Sequence, residues 1–203
     1  MNIVIFSGFL GSGKTSAILS MARYISEKQE VSVRGGLVIV ENEIGEIGID
    51  NKILKHGGYQ VKELFAGCIC CTLSADLTTM LNELEDEYHP GWVIIECTGL
   101  AYPSKIIETL QRYGKGIESI RTVAVVDAER WEELMTVTPV LTTTQIQEGN
   151  FLLVNKIDRI EEVALSKVEA EVRKVNGSAK LYKLSALEGI GDRIWSEVTG
   201  IGN

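Results

Sequence analysis

Short apolar runs alternate with longer amphipathic segments along most of the chain. Seven runs rich in β-branched residues predict strands at Asn2–Ser7, Leu37–Glu41, Gln60–Phe65, Trp92–Cys97, Thr122–Asp127, Phe151–Asn155 and Lys180–Leu184. Several of them are apolar at every position, as strands buried on both faces of a sheet are. Since strands that alternate with helices are typical of an α/β fold, the pattern predicts a mostly parallel central sheet covered by helices on both faces.

Three of the intervening segments carry apolar residues three or four positions apart, which places them on one face of a helix. These stripes are Ile18, Leu19, Ala22 and Ile25; Leu77, Met80, Leu81, Leu84 and Tyr88; and Leu165, Val168, Val172 and Val175. Core packing is the interpretation of all three. The segment Thr136–Gln147 is rich in threonine and contains a proline, and it predicts an irregular connection instead.

Length, charge and hydropathy narrow the class of protein. The 203 residues, 45% of them hydrophobic, suffice for one packed core and predict a single domain over 1–203. A net charge of -8 leaves no basic face for nucleic acid or an anionic membrane surface, so neither is an expected partner. The chain has no apolar run near the roughly 20 residues that span a bilayer and no basic leader at its start. We therefore expect a cytoplasmic protein.

The segment Gly8–Ser16, GFLGSGKTS, matches the phosphate-loop pattern GxxxxGK[ST] between a predicted strand and a predicted helix. Its glycines let backbone N–H groups surround a phosphate, while Lys14 reaches the β- and γ-phosphate oxygens and Thr15 binds Mg²⁺. The loop predicts nucleotide binding by Gly8, Gly11, Ser12, Gly13, Lys14, Thr15 and Ser16.

Two later motifs predict that the base is guanine. In NKID, the Asp158 carboxylate can accept from both N1–H and the exocyclic amine of guanine, a pair of donors that adenine lacks. Asn155 can bond the base edge or brace the phosphate loop, and the stem of Lys156 can lie along the ring. In SALEG, which includes Ser185, the N–H of Ala186 is expected to donate to the guanine carbonyl.

The segment ECTG, Glu96–Gly99, ends a predicted strand, and ligands of open α/β sheets lie at the carboxyl ends of strands. Glu96 can hold a Mg²⁺-bound water or orient the attacking water, and the Gly99 N–H can sense the γ-phosphate. Sequence leaves the two roles of Glu96 open. Cys97 is interpreted as a small buried hydrophobic residue, and Asp127 as a helix cap in preference to a catalytic acid.

FAGCICCTLSADL places three of the four cysteines, Cys68, Cys70 and Cys71, within four residues. Clustered cysteines in a reducing compartment favour metal binding or redox chemistry over a structural disulfide. Three thiolates suit a borderline-soft ion such as Zn²⁺, with water or an acid as a further ligand. His56 has no supporting spacing and is interpreted as a surface residue.

In their order along the chain, the phosphate loop, ENEIGEIGID (Glu41–Asp50), GCICC, ECTG, NKID and SALEG resemble the CobW, UreG and HypB class of metal-handling GTPases, the CobW-like branch in particular. The resemblance implies a three-layer P-loop NTPase fold. It also implies GTP hydrolysis to GDP with Lys14 and Glu96 as catalytic residues, and Zn²⁺ or Co²⁺ bound by the cysteines with Glu41 and Glu46 as further ligands. The implied partner is a metalloenzyme or a corrinoid-dependent client protein that receives metal or cofactor.

Two departures from that class qualify the expectation. Many CobW-like relatives carry a C-terminal domain and a histidine-rich stretch, whereas this sequence stops soon after SALEG and has two histidines. Phe9 stands where related ATPases use a second lysine across a dimer, so we expect slow intrinsic hydrolysis. The sequence leaves open whether the chain forms a homodimer.

The alternative functions are a nucleotide-gated metal sensor or buffer with little turnover, and a P-loop phosphotransferase with a structural zinc.

Overall fold

The computed structural model describes residues 1–28, 36–41, 60–63 and 73–202. Its strands are β1 (Asn2–Ser7), β2 (Leu37–Glu41), β3 (Gln60–Glu63), β4 (Trp92–Glu96), β5 (Ser119–Asp127), β6 (Phe151–Asn155) and β7 (Lys180–Lys183). Its helices are α1 (Lys14–Lys28), α2 (Leu73–Tyr88), α3 (Pro103–Tyr113), α4 (Trp131–Val137), α5 (Pro139–Gln147), α6 (Glu162–Val175) and α7 (Asp192–Thr199), with a 3₁₀ turn at Ile157–Arg159.

The described strands form one sheet in the order β3-β2-β4-β1-β5-β6-β7, and every pairing in it is parallel. Strand β1 lies at the centre, where Ile5 is opposite Ile95 of β4 and Thr122 of β5. The predicted parallel sheet is therefore confirmed. Because parallel strands all end at the same edge, the residues that follow β1, β4, β5 and β6 meet there.

Successive side chains of the central strands pack on opposite faces of the sheet. Val4 and Phe6 join a core with helices α1 and α7, whereas Ile3 and Ile5 join a core with α2 and α3. On that second face, farther along the sheet, β5 and β6 pack against α4, α5 and α6. The chain thus has helices on both faces, which confirms the three-layer prediction and explains the uninterrupted apolar runs.

Most predicted strand boundaries are close to the observed ones. Strands β1, β2 and β6 agree residue for residue, while β4 and β7 each end one residue early and β5 starts at Ser119. Cys97 still donates its N–H to the neighbouring strand β1, at 2.9 Å. The predicted end of β3, residues 64–65, lies outside the described ranges.

The prediction of an irregular connection at Thr136–Gln147 is wrong, because this segment ends one helix and forms the next, α4 and α5. Its threonines are accommodated by hydroxyls that donate back to carbonyls four residues earlier, as Thr136 does to Glu132 and Thr144 to Val140. Pro139 occupies the first turn of α5, where a missing N–H costs nothing. The threonines and the proline therefore account for the wrong prediction in this segment.

Among the helices in the described ranges, none has the length and apolar character needed to cross a bilayer.

Candidate functional site

The loop between β1 and α1 has a backbone that favours glycine at two crowded positions. Gly8 has φ +136° and Gly13 has φ +99°, values that other residues rarely adopt. A Cβ at Gly8 would lie 2.3 Å from the Val125 carbonyl oxygen, and one at Gly13 would lie 2.3 Å from Asn155 Nδ2. The loop therefore runs directly against β5 and β6 and leads into the N-terminus of α1, an end that attracts anions.

Lys14 and Thr15, the first residues of α1, both contact Glu96 at the end of β4. Lys14 is buried, with its Nζ 3.9 Å from Glu96 Oε1 and 3.4 Å from the Phe9 carbonyl oxygen. Thr15 Oγ1 lies 3.2 Å from each carboxylate oxygen of Glu96. The structure thus brings the two predicted catalytic residues, Lys14 and Glu96, together with the predicted magnesium ligand, Thr15.

Two buried hydroxyls occur among the residues predicted to bind nucleotide. The Oγ atoms of Ser12 and Ser185 have no hydrogen-bond partner in the part of the chain that the structure describes. Buried polar groups ordinarily have a partner. Both hydroxyls are chemically suited to a polar ligand.

Asn155 joins the phosphate loop to the loop after β7. Its Nδ2 donates to the Ser12 carbonyl oxygen at 2.7 Å, and its Oδ1 accepts from the Ala186 N–H at 2.8 Å. Asn155 thus braces the phosphate loop, which is one of the two roles that the sequence left open. The Ala186 N–H, predicted to donate to guanine, donates to Asn155 here.

Lys156 is held in a left-handed backbone conformation, with φ +65°, immediately after β6. Its Nζ lies 2.6 Å from Asp127 Oδ2 and 3.7 Å from Glu129 Oε2. Asp127 Oδ1 also accepts from the Arg130 N–H just before α4, at 3.2 Å. The N-cap residue of α4 is Arg130 and, among the described residues, no side chain caps this helix, so the prediction that Asp127 is its cap is wrong. Asp127 instead accepts within the turn before the helix and forms an ion pair with Lys156 that the sequence did not indicate.

A cavity of about 240 Å³ lies beside these residues. Its lining combines predicted residues from the phosphate loop and from both base-recognition motifs: Gly11, Gly13, Ser16, Asn155, Lys156, Asp158, Ser185 and Ala186. Leu187, which is 78% exposed, adds an apolar surface at the same cavity. Segments more than 140 residues apart in sequence thus line one site of the size and chemistry suited to a purine base.

The loop after β4 packs closely against the phosphate loop. A Cβ on Gly99 would come within 2.7 Å of Leu10 N, so the two backbones touch. The buried Gln145 of α5 donates from Nε2 to the carbonyl oxygens of Gly99 and Ala101, both at 3.1 Å. Sequence reasoning missed Gln145, because the helix that positions it was predicted to be irregular.

A second residue that sequence reasoning missed is Arg130. Its guanidinium carbon lies 5.5 Å from the centre of the Phe9 ring, and Nη1 lies 3.4 Å from the Leu10 carbonyl oxygen. Glu133 pairs with the same guanidinium, at 2.9 Å from Nε and 3.0 Å from Nη2. The phosphate loop therefore has an arginine beside Phe9 and Leu10.

Cys97 is fully buried directly after Glu96. Burial, opposed in part by the nearby positive charge of Lys14, raises the pKa of its thiol from 9.0 to about 12. A thiol that stays protonated is a poor metal ligand. The prediction that Cys97 is a small buried hydrophobic residue is confirmed.

The predicted metal ligands Cys68, Cys70, Cys71 and Glu46 lie outside the described residues, as does His56. Glu41 is the last residue of β2, and its backbone is in register with Glu96 of β4. Within the described ranges, histidine, cysteine and acidic residues form no group of three or more that could hold a metal.

Comparison with known proteins matches residues 2–183 to the family described as CobW/HypB/UreG, nucleotide-binding domain. The zinc chaperone YjiA of Escherichia coli is 30% identical over 195 residues, which cover 90% of this chain and 57% of YjiA. The zinc chaperone CobW of a Sinorhizobium species is 32% identical over 198 residues, which cover 83% of this chain and 54% of that protein. The chain thus spans about half the length of the curated relatives it matches.

Solved structures show the same fold. The Zn(II)-bound YjiA GTPase from E. coli superposes with a TM-score of 0.63 at 24% identity, over 90% of this chain and 57% of that one. The hydrogenase maturation factor HypB from Archaeoglobus fulgidus superposes with a TM-score of 0.68 at 20% identity, over 100% of this chain and 91% of that one.

Proposed function

The chain belongs to the CobW/HypB/UreG nucleotide-binding domain family, and from this premise we propose that it is a GTPase that couples GTP turnover to binding of a divalent transition metal. The observation that carries the proposal is the contact of Lys14 and Thr15 with Glu96, beside a cavity lined by the NKID and SALEG motifs. The metal or a metal-containing cofactor is then delivered to a client enzyme.

The triphosphate is held by the phosphate loop and Lys14. Backbone N–H groups of the loop surround the β-phosphate, and the Lys14 ammonium exchanges its long contact with the Phe9 carbonyl for the β- and γ-phosphate oxygens. Lys14 is buried beside Glu96, so its ammonium group already lies at the phosphate loop when nucleotide binds. Such preorganisation removes part of the free-energy cost of ordering a flexible lysine.

The same residues fit Mg²⁺. Thr15 Oγ1 and the Glu96 carboxylate present oxygen donors within 3.2 Å of each other, and oxygen is the ligand that Mg²⁺ prefers. When bound, Mg²⁺ neutralises charge that develops on the phosphate oxygens. Glu96 holds a water at that position or orients the water that attacks the γ-phosphorus, and GTP and water yield GDP and phosphate.

Guanine is selected at the cavity beside the loop. The Asp158 carboxylate accepts from N1–H and the exocyclic amine, and the stem of Lys156 lies against one face of the ring, where its ion pair with Asp127 fixes the side chain. Adenine offers no such pair of donors, and its binding would leave the carboxylate unsatisfied.

We propose that the metal is bound by the thiolates of Cys68, Cys70 and Cys71, with Glu41 and Glu46 as candidate further ligands. Thiolates favour zinc over magnesium. The relatives favour zinc over cobalt as the cargo of this chain, since YjiA and CobW are both zinc chaperones by name.

Anaerobic purification followed by metal analysis and GTPase assays tests this function. We expect about one zinc per chain, hydrolysis of GTP in preference to ATP, and a turnover that changes when the zinc is removed. Preference for ATP would refute the guanine assignment and favour a phosphotransferase. Zinc binding with no effect on turnover would favour a metal buffer.

A further inference from the structure

The loop that follows β4 is held by helix α5 at three points. Gln145 Nε2 donates to Gly99 O and to Ala101 O, at 3.1 Å each. Glu148, the C-cap residue of α5, accepts at Oε2 from the Ser104 N–H at 2.9 Å, in the first turn of α3. One face of α5 therefore spans the whole connection from the end of β4 to the start of α3.

The contact of Gln145 with Gly99 is buried, and its contact with Ala101 is partly buried. Its side chain is 3% exposed, and Gly99 is buried against the backbone of Leu10 in the phosphate loop. The buried Gly99 carbonyl has no water to replace a lost donor and depends on this amide, whereas the Ala101 carbonyl is only partly buried. The Gly99 N–H belongs to the preceding peptide unit, which is joined to the anchored Gly99 carbonyl at the Gly99 Cα, so the amide of Gln145 restricts where that N–H can lie.

We propose that Gln145 is a positioning residue for the γ-phosphate: it fixes the loop at Gly99 and Ala101 so that the Gly99 N–H meets the terminal phosphate of GTP. This proposal rests on the proposed function, in which Gly99 senses that phosphate. GDP lacks the γ-phosphate and makes no use of the Gly99 N–H. Gln145 therefore contributes to the affinity for GTP and not to that for GDP.

Nucleotide titrations of three variants test the proposal. Gln145→Met keeps the length of the side chain and removes its donor, Glu148→Ala removes the second contact of α5 with the loop, and Gln147→Met is the matched control, since Gln147 lies exposed on the same helix. Each protein is titrated with fluorescent GDP and with a fluorescent, non-hydrolysable GTP analogue, and its thermal melting is recorded.

Loss of the Gly99 N–H hydrogen bond to the γ-phosphate, worth about 1.4 kcal/mol, corresponds to about a tenfold change in affinity. We therefore expect Gln145→Met to weaken binding of the GTP analogue about tenfold while GDP binding stays within about twofold. Glu148→Ala shifts the ratio in the same direction by a smaller factor, and Gln147→Met leaves it unchanged.

Equal weakening of GDP and GTP-analogue binding by Gln145→Met, or no change in either, would overturn the proposal and leave Gln145 a purely structural residue. If Gln145→Met does not fold, an unchanged affinity ratio in Glu148→Ala overturns it equally. Failure of the proposed function gives a different result: wild-type protein, titrated also with the fluorescent adenine counterparts, would then show no preference for either guanine nucleotide.

Discussion

Asn155 Nδ2 donates a 2.7 Å hydrogen bond to the carbonyl oxygen of Ser12, across 143 residues of sequence. The other end of the same amide accepts from the Ala186 N–H at 2.8 Å. One buried side chain therefore connects the phosphate loop, the end of β6 and the loop after β7. The predicted phosphate and base subsites are consequently joined through this one amide.

Replacement of Asn155 by alanine is expected to destabilise the fold by about 2 kcal/mol, because a buried carbonyl and a buried N–H both lose their partners. Affinities for GTP and GDP should fall by the same factor, since both nucleotides use both subsites. Urea unfolding and nucleotide titration measure the two effects.

Asn82→Ala is the matched control for this substitution. Asn82 also makes two hydrogen bonds, to Tyr113 O and from Lys115 N, but on the surface of the molecule. Its loss should leave nucleotide affinity unchanged. If Asn155→Ala binds nucleotide as wild type does, the two subsites are not joined through this residue.

Glu96→Gln should slow GTP hydrolysis by about 100-fold, a typical contribution of a residue that positions water or metal at a reacting phosphate. The amide keeps the shape of the carboxylate but loses the charge that faces Thr15 and Lys14. Initial rates at several Mg²⁺ concentrations measure the effect, which should include a higher Mg²⁺ requirement. Glu171→Gln is the control, since Glu171 bonds Trp131 away from the site. Unchanged rates in Glu96→Gln would remove Glu96 from the mechanism.

Asp158→Asn should change the base preference of the site from guanine to xanthine. Xanthine has a carbonyl where guanine has the exocyclic amine, so a side-chain amide can donate to it where a carboxylate would be repelled. Competition between GTP and XTP measures the switch, and Asp192→Asn, at an exposed helix start, serves as the control. An Asp158→Asn variant that still prefers GTP would place base recognition elsewhere.

The buried thiol of Cys97 should lower the free energy of unfolding at alkaline pH. Burial raises the pKa of its thiol in the folded chain to about 12 from 9.0. As the pH rises past 9 the unfolded chain gives up this proton while the folded chain retains it, so the free energy of unfolding falls. Over pH 8 to 10 the expected loss is about 1.4 kcal/mol.

Urea unfolding at both pH values, in a chain with serine at positions 68, 70 and 71, isolates this effect. Adding Cys97→Ala should abolish it. The same pH dependence with and without Cys97 would show that another group is responsible.

Sequence alone predicts those parts of the site whose residues follow one another closely along the chain. A strand, the run from Gly8 to Lys14 and a helix follow one another directly, so their spacing determines their geometry. The strands at Asn2–Ser7 and Phe151–Asn155 are apolar throughout, and burial on both faces requires that.

Contacts that depend on tertiary packing could not be predicted in this way. Arg130 reaches Leu10 across 120 residues, and Gln145 reaches Gly99 across 46. In addition, α5 has threonines that favour non-helical structure unless their hydroxyls bond back to the helix, as those of Thr143 and Thr144 do. Gln145 therefore lies on a helix whose sequence has little helical propensity of its own.

The most direct test of the whole account is a competition titration of Zn²⁺ against the protein loaded with GDP and with a non-hydrolysable GTP analogue. If metal and nucleotide sites are coupled, the two zinc affinities should differ by about fivefold or more, and zinc should alter the affinity for the GTP analogue by the same factor. Replacing Cys68, Cys70 and Cys71 by serine should abolish both effects. Identical zinc affinities in the two nucleotide states would contradict the account.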